Sequence, residues 1–397
     1  MNKTIAVAIG LMLTLSAHAQ SLAEALEQAW ARQPQASAAM ARDAEAQARS
    51  AVAASLTPAP ASLSLATLND QLNANRGKQE WEIELSLPLW LPGQQAARLA
   101  EAASAQSELR ARRHALRWQI AGQLRDAWWA LAAARNAHLL AERRVGTADT
   151  LVADVMRRYR VGELARLDAN LAQAEQVAAQ AELADAQTAL WQAEQNYRDL
   201  TGVSAPTALP AETQLATHEA TDEHPLLASA LANVQLARAR LQVAAQRRRD
   251  SPSLALRLTQ GRDDYAQAYA RALGVKFTLP LSSDARVRED NAAAQAELAQ
   301  ADAELALAQA KLVLDSERAR RELANAQRQL ALAQQRVALS ADNLALAEKS
   351  FALGESDLPG LLRVRAAAID AQAILSRQQY GVAAAQSRNN QILGVLP

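Results

Sequence analysis

Apolar side chains recur every seven residues along two stretches of the chain without prolines, residues 93–205 and 281–358. The repeat falls on Leu124, Leu131, His138, Val145, Val152 and Tyr159 in the first stretch, and on Leu323, Leu330, Val337, Leu344 and Phe351 in the second. The second stretch carries a further apolar stripe at Leu332, Leu339, Leu346 and Leu353, and small residues at Ala326, Ala333, Ser340 and Ala347. Heptad spacing indicates coiled-coil packing. Two stripes on one helix predict neighbours on both of its sides, as in the wall of a tube.

Strict alternation of apolar and polar residues occupies residues 80–89. One face carries Trp81, Ile83, Leu85, Leu87 and Leu89, and the other carries Glu80, Glu82, Glu84 and Ser86. This alternation predicts a β-strand, either an ordinary strand with one solvated face or a membrane strand with its apolar side chains toward lipid. We favour the membrane strand because about ten residues is the length that a tilted transmembrane strand requires. Further alternating runs at 62–68, 253–259 and 270–281 predict three more strands.

The two halves of the chain align at a constant offset of 192 residues, the separation of Pro88 and Pro280. At this offset Ile83 falls on Val275, Leu85 on Phe277, Tyr159 on Phe351, Gly162 on Gly354, Glu163 on Glu355 and Gly202 on Gly394. A single offset that holds over so long a stretch indicates an internal duplication.

These patterns predict a mainly α-helical fold with a small β part, built as an internal two-fold repeat. Repeat 1, residues 20–202, contains a first helix interrupted near Pro34, two strands within 62–89 and a helical hairpin at 94–200. A linker follows at residues 203–224, and repeat 2, residues 225–397, contains a helix at about 225–249, two strands within 253–281 and a hairpin at 283–393. The first long helix would reach about 98 Å at 1.5 Å per residue, which is more than a compact globular domain needs.

The N-terminus predicts export. Lys3 precedes a short apolar run at residues 5–15 and the small-residue pattern Ala17-His18-Ala19. This is the arrangement of a secretory signal peptide, so we expect residues 1–19 to be removed and the mature chain to begin at Gln20. A transmembrane anchor is the alternative, and it is disfavoured because the apolar run is shorter than the roughly 20 residues that a spanning helix needs.

Composition argues against several classes of function. The 42 Lys and Arg residues balance the 42 Asp and Glu residues, so no electrostatic reason exists to expect a nucleic-acid partner. The chain has no cysteine, and outside the predicted signal peptide its histidines and methionines are scattered at His114, His138, His218, His224, Met40 and Met156. Metal-binding and phosphate-loop motifs are also missing from the sequence. We therefore expect that the protein has no metal site and no cofactor, and that it is not an enzyme. His138, at a heptad position, is expected to be a structural residue that is buried or half-buried.

The strand count predicts an oligomer. Four strands cannot close a membrane barrel, for which about eight is the practical minimum, and open strand edges are not viable in lipid. Three chains would supply twelve strands and a lumen wide enough for a solute. In such a barrel the apolar face meets lipid, and Glu80, Glu82 and Glu84 line the lumen as negative rings.

The order helix, strand, strand, long helix, glycine turn and helix, given twice behind a signal peptide, resembles the TolC family of outer-membrane efflux proteins. The most specific motifs are Leu87-Pro88-Leu89 and Leu279-Pro280-Leu281 at the strand–helix junctions, and Arg158-Tyr159-Arg160-Val161-Gly162 and Phe351-Ala352-Leu353-Gly354-Glu355 at the turns. The resemblance implies a homotrimeric α/β barrel in the outer membrane of a Gram-negative bacterium, continuous with a periplasmic helical tunnel. It also implies a periplasmic adaptor (a membrane fusion protein) and an inner-membrane pump of the RND type as partners.

The Trp90-Leu91-Pro92-Gly93 junction and the compact length are similar to the CzcC and CusC branch of the family, which serves heavy-metal efflux. This branch implies heavy-metal cations as cargo, and drugs or a type I secreted substrate are the alternatives. Gly360 and Arg363 stand where drug-efflux members carry acidic residues. An acidic ring at the closed aperture is therefore not expected to transfer to this chain.

The two glycine turns are the predicted periplasmic tips, where the duct meets its adaptor and opens. The predicted contact residues are Tyr159, Arg160, Gly162, Glu163, Leu164, Phe351, Leu353, Gly354 and Glu355. Asp168 and Arg363, one to two turns along the returning helices, are the gate candidates. A simple hairpin turn without a partner is the alternative for each tip. For the whole chain, the alternative is a periplasmic coiled-coil structural or adaptor protein whose strands form a small soluble domain.

Overall fold

Helices make up most of the chain, and a four-stranded sheet adjoins the N-terminal ends of the two longest helices. The computed structural model describes residues 21–72, 75–212, 224–281 and 284–397. The predicted signal peptide at 1–19, residues 213–223 of the predicted linker and with them His218 lie outside the described residues. The prediction of a mainly α-helical fold with a small β part is confirmed.

In chain order the elements are α1 (Leu22–Ala31), α2 (Pro34–Ser37), α3 (Ala39–Ala53), β1 (Ser62–Asn69), β2 (Gln79–Pro88), α4 (Gln94–Arg160), α5 (Arg166–Thr201), α6 (Pro225–Gln246), β3 (Ser253–Arg262), β4 (Ala270–Thr278), α7 (Asp284–Ala352) and α8 (Leu358–Ile392). The 67 residues of α4 and the 69 residues of α7 each extend about 100 Å. Within the described ranges, no helix combines the length and the apolar character needed to cross a membrane.

Three boundaries in the second repeat differ from the prediction by three residues. The helix predicted at 225–249 ends at Gln246, since Arg247 has a ψ of 63° and leaves the helical region. The strand predicted at 253–259 continues to Arg262, because Gly261 and Arg262 still pair with β2. The strand predicted to end at residue 281 ends at Thr278, just before Pro280, which has no N–H to donate to a ladder.

The internal duplication is visible in the backbone. Gly162 and Gly354 have φ values of 80° and 75°, and Gly202 and Gly394 have φ values of 78° and 81°. In each pair, the first glycine follows a long helix of repeat 1, and the second follows the matching helix of repeat 2. The 192-residue offset therefore aligns the same structural positions in the two repeats.

The sheet is antiparallel, with the order β1-β2-β3-β4, so that β2 and β3 join the two repeats. Its register aligns one row of Leu63, Leu85, Leu256 and Val275 and another of Leu65, Ile83, Leu258 and Leu273. The row between them consists of Ser64, Glu84, Arg257 and Gly274. Since successive side chains of a strand point to opposite faces, the sheet has one apolar face and one polar face.

The main core forms where α1 packs against α4 and the C-terminal part of α5. Leu26, Leu124, Trp128, Leu131 and Tyr197 are buried there, and each such side chain contributes about 1.5–3 kcal/mol of transfer free energy. The rings of Trp128 and Tyr197 lie 6.1 Å apart. Burial raises the pKa of Tyr197 to about 12, so its hydroxyl keeps its proton at any physiological pH.

A buried ion pair ties the middle of α4 to the chain segments that follow α5 and α8. The guanidinium of Arg125, 3% exposed, lies 3.0 Å from the carboxylate of Glu212. It also donates to the backbone carbonyl of Val395 at 3.0 Å and to the side chain of Gln391. Burial lowers the pKa of Arg125 and the Glu212 carboxylate opposes that shift. Removing either charge would leave the other buried and unpaired, which costs about 3–5 kcal/mol.

Candidate functional site

Two helix-ending turns of the same geometry lie far from the sheet, at the distal ends of α4 and α7. In each turn the glycine N–H, of Gly162 or Gly354, donates to the carbonyl three residues earlier, at 3.1 Å in both cases. The next N–H donates to the carbonyl five residues earlier, at 3.0 and 2.9 Å. This pattern ends a helix with a left-handed residue, a conformation that glycine adopts at low cost.

The two hairpin tips share one small core. It contains Leu151, Val155, Ala169, Ala172, Phe351, Leu358 and Leu361, which come from all four long helices. The guanidinium of Arg158 lies 5.3 Å from the centre of the Phe351 ring, within the range of a cation–π contact. The tips therefore form a single packed body, and Phe351 supports that body from inside.

The predicted adaptor-contact residues divide into an exposed set and a supporting set. Arg160, Gly162, Glu163, Gly354 and Glu355 are exposed, as are Tyr159 and Leu353, the latter at 65%. Leu164 is half-buried. Phe351 is 9% exposed, so its side chain is not available for contact with a partner in this arrangement.

The two gate candidates differ in their contacts within the chain. The carboxylate of Asp168 accepts a hydrogen bond from the backbone N–H of Ala165 at 3.0 Å and so caps the start of α5. Arg363 is exposed on α8, and no carboxylate among the described residues lies within ion-pair distance of it. Asp168 thus has a structural role whether or not it also holds a gate.

The polar face of the sheet carries both signs of charge. The guanidinium of Arg257 on β3 lies 2.9 Å from the carboxylates of both Glu82 and Glu84 on β2. The ammonium group of Lys276 on β4 lies 3.5 Å from Glu84. Two of the three predicted lumen carboxylates are therefore paired with cations, which makes this face less negative than the alternation of β2 alone indicated.

The apolar face of the sheet is uncovered by the chain itself. Its exposed side chains include Leu63, Leu65, Trp81, Ile83, Leu85, Leu256, Leu258, Leu273, Val275 and Phe277. Leu273 and Val275 are 70% and 73% exposed. A contiguous apolar patch of this kind marks contact with a membrane or with another protein.

The second heptad stripe of α7 is also uncovered. Leu332, Leu339, Leu346 and Leu353 are 58–70% exposed, whereas Leu323 and Phe351 of the first stripe are buried within the chain. One stripe of α7 therefore packs on its own hairpin, and the other faces away from it.

His138 of α4 is half-buried and lies 3.8 Å from Glu142. This agrees with the prediction that His138 is a structural residue.

Sequence reasoning missed the cations that face the glutamates. Arg257 stands between Leu256 and Leu258 in an alternating run, and Lys276 stands between Val275 and Phe277, so the same period-two argument would have found both. The contact between Arg158 and Phe351 joins two repeats, and no local pattern reveals it. No group of three or more His, Cys, Asp or Glu side chains suited to a metal ion occurs in the part of the chain that the structure describes.

No family model matches the sequence. A curated relative, the cobalt-zinc-cadmium resistance protein CzcC of Cupriavidus metallidurans, is 26% identical over 206 residues, which cover 50% of this chain and 49% of the relative. The match thus spans about half the length of each protein.

Solved structures cover nearly the whole chain. The outer-membrane protein VceC of Vibrio cholerae is 17% identical with a TM-score of 0.76, over 94% of this chain and 96% of VceC. CusC, studied for its folding and transmembrane channel formation, is 14% identical with a TM-score of 0.77, over 94% of this chain and 92% of CusC. The MtrE outer-membrane channel of Neisseria gonorrhoeae is 16% identical with a TM-score of 0.74, over 94% of this chain and 88% of MtrE. The chain therefore has the TolC-like fold of these outer-membrane channels, as the sequence resemblance implied.

Proposed function

We propose that the chain is the outer-membrane channel of a tripartite efflux system, a passive duct formed by three copies. The observation that carries the proposal is the apolar face of the sheet, which presents rows of Leu, Ile, Val and Phe side chains across all four strands. A lipid-facing side of this composition, with a polar face toward water, is the pattern of a membrane β-barrel. A small soluble sheet in a periplasmic adaptor would leave that apolar face in water.

The edges of the sheet support association. β1 and β4 each have one neighbouring strand among the described residues, and every unpaired backbone polar group in lipid costs several kcal/mol. Pairing β4 of one copy with β1 of the next satisfies both edges, and three copies give twelve strands. The exposed α7 stripe of Leu332, Leu339, Leu346 and Leu353 supplies a second surface for contact between copies, below the membrane.

The tips are proposed to bind a periplasmic adaptor and, through it, an inner-membrane pump of the RND type. The exposed residues Tyr159, Arg160, Glu163, Leu353 and Glu355 offer apolar and charged contacts on a rigid support. Arg363 and Asp168 are proposed to hold the resting aperture where three copies converge. Phe351 is assigned the role of a buried support.

Heavy-metal cations are the proposed cargo. CzcC carries cobalt, zinc and cadmium resistance in its name, and its matched segment covers half of this chain. Drugs and a type I secreted substrate are the alternative cargoes, since a fold shared with other outer-membrane channels does not select the cargo.

Deletion of the gene and complementation test the function. Cells without the protein should lose resistance to zinc, cobalt or cadmium, and the intact gene should restore it. The double variant Leu353→Ser and Glu355→Ser should reach the outer membrane but fail to restore resistance. Normal metal resistance in the deletion strain with lost drug resistance would reassign the cargo. Release of the protein by osmotic shock would contradict the outer-membrane location.

A further inference from the structure

The apolar face of the sheet changes character at its end far from the helices. Beyond the leucine rows, the same face carries Trp81, Gln260 and Arg271 in one row, and then Gln79 and Arg262 in the next. The β1–β2 and β3–β4 loops follow directly. Under the proposed function, on which this inference rests, this end lies at the outer leaflet of the membrane.

Two tyrosine rings and a backbone carbonyl hold the side chain of Arg262 in place. Its guanidinium carbon lies 5.2 Å from the centre of the Tyr265 ring and 4.9 Å from that of Tyr269. Its Nε donates to the carbonyl of Gly77 in the neighbouring loop at 3.2 Å, and the hydroxyl of Tyr269 bonds to the amide of Gln79. Two aromatic rings and a backbone carbonyl therefore fix the guanidinium, while the N–H groups of its two terminal nitrogens donate to no protein acceptor among the described residues.

The two loops interlock around this arginine. The backbone N–H of Tyr265 donates to the carbonyl of Arg76 at 3.1 Å, and its hydroxyl bonds to the side chain of Asn75 at 3.1 Å. A Cβ at Gly77, whose φ is 97°, would lie 2.6 Å from the Tyr265 ring. The loops thus approach each other closely, and they form a fixed platform.

The platform carries four cations and three acids. Arg76, Lys78, Arg262 and Arg271 have no carboxylate within 4.0 Å in the described part of the chain. The carboxylate of Asp70 accepts the backbone N–H groups of Arg76 and Lys78, at 2.7 and 3.1 Å. That of Asp264 accepts the N–H of Ala266 at 2.7 Å. These bonds hold two of the three acids of the loops in place without neutralising them, so four cations face three carboxylates and the rim keeps a small excess of positive charge.

We propose that this outer rim, defined by Trp81, Arg262, Tyr265, Tyr269 and Arg271, binds the phosphate groups of phosphorylated glycolipid headgroups in the outer leaflet. Arginine forks match phosphate oxygens with paired, charge-assisted hydrogen bonds. Trp and Tyr side chains anchor proteins at the level of lipid headgroups. The rim combines both on the lipid-facing side of the sheet, next to the rows that meet acyl chains.

Lipid binding to two matched variants tests the proposal. Arg271→Gln and Lys276→Gln remove one positive charge each from the same strand, five residues apart and on opposite faces. The protein is placed in phosphatidylcholine nanodiscs with phosphorylated lipid A, and bound lipid is counted by native mass spectrometry. Arg271→Gln should weaken lipid A retention about tenfold, because a charge-assisted hydrogen bond contributes about 1.5 kcal/mol or more. Lys276→Gln should bind as the unmodified protein does, and Arg271→Lys should keep most of the affinity.

Two further measurements distinguish a lipid phosphate from a free phosphate ion. Lipid A stripped of its phosphates should bind as weakly as the Arg271→Gln variant binds intact lipid A. Displacement of lipid A by millimolar inorganic phosphate would identify a free-anion site and overturn the assignment to lipid. Equal retention by Arg271→Gln and Lys276→Gln would also overturn it. Failure of the protein to enter nanodiscs at all would instead contradict the proposed membrane function.

Discussion

Gly162 and Gly354 adopt left-handed φ values of 80° and 75°, and a Cβ at either position would meet no atom within 4 Å. The cost of a side chain there is therefore purely conformational. We predict that Gly162→Ala lowers the free energy of unfolding by about 1–2 kcal/mol per chain. Gly162→Asn should cost less, since asparagine tolerates this conformation.

Gly146 provides the matched control, because it lies inside α4 with no atom within 4 Å of a Cβ. Gly146→Ala should raise the free energy of unfolding by about 0.5–1 kcal/mol. Thermal unfolding of the detergent-solubilised protein, followed by circular dichroism, measures both changes. If Gly162→Ala and Gly146→Ala shift the unfolding midpoint in the same direction, the left-handed conformation does not determine the cost of a side chain at position 162.

Arg257 is the second residue with a specific expectation. It pairs with Glu82 and Glu84 at 2.9 Å, so Arg257→Gln should expose two carboxylates to the proposed lumen. We predict that the ratio of cation to anion permeability rises by up to about fivefold, since a unit charge about 4 Å away contributes about 1 kcal/mol in water.

Reversal potentials in planar bilayers under a salt gradient measure that ratio. Arg271→Gln is the control, because it removes the same charge from the opposite face of the same sheet. An unchanged ratio in Arg257→Gln, or an equal rise in both variants, would show that the polar face does not line the conducting path.

At the scale of whole elements, α7 has one stripe that packs within the chain and one that does not. Leu339 belongs to the outward stripe and is 70% exposed. We predict that Leu339→Arg leaves the helical content of the chain intact and weakens association between copies by about 2 kcal/mol per interface, the value of burying one leucine. Sedimentation in detergent measures the fraction of each oligomer.

Gln334→Arg is the matched variant, since Gln334 is also exposed and lies about 140° around the same helix. It should assemble normally. A loss of helical signal in Leu339→Arg would mean that Leu339 supports its own chain, contrary to this account.

The elements themselves were largely predictable from the sequence. Period-two alternation located all four strands, the proline-free heptad stretches located α4 and α7, and the glycines located both tips. Local patterns carry this information because they record which face of an element is apolar. They do not record partners across the fold, so the Arg158–Phe351 contact and the Arg125–Glu212 pair were found only in the structure.

At the scale of the whole molecule, the sheet is an open one with β1 and β4 at its edges. The apolar face and the open edges together require other copies of the chain if the sheet lies in a membrane. The number of copies decides whether the sheet closes into a duct.

Crosslinking of the two sheet edges measures the number of copies, and the chain has no native cysteine to interfere. Ser64→Cys on β1 is combined with a cysteine on β4, as Ala272→Cys, Gly274→Cys or Lys276→Cys, so that at least one register brings the pair together. Outer membranes are treated with a short bifunctional maleimide and resolved on a denaturing gel. A trimeric barrel should give a ladder that ends at three copies, and the two single-cysteine parents of each pair should remain monomeric on the gel. Crosslinks confined to one chain, or a ladder that ends at another number, would contradict it.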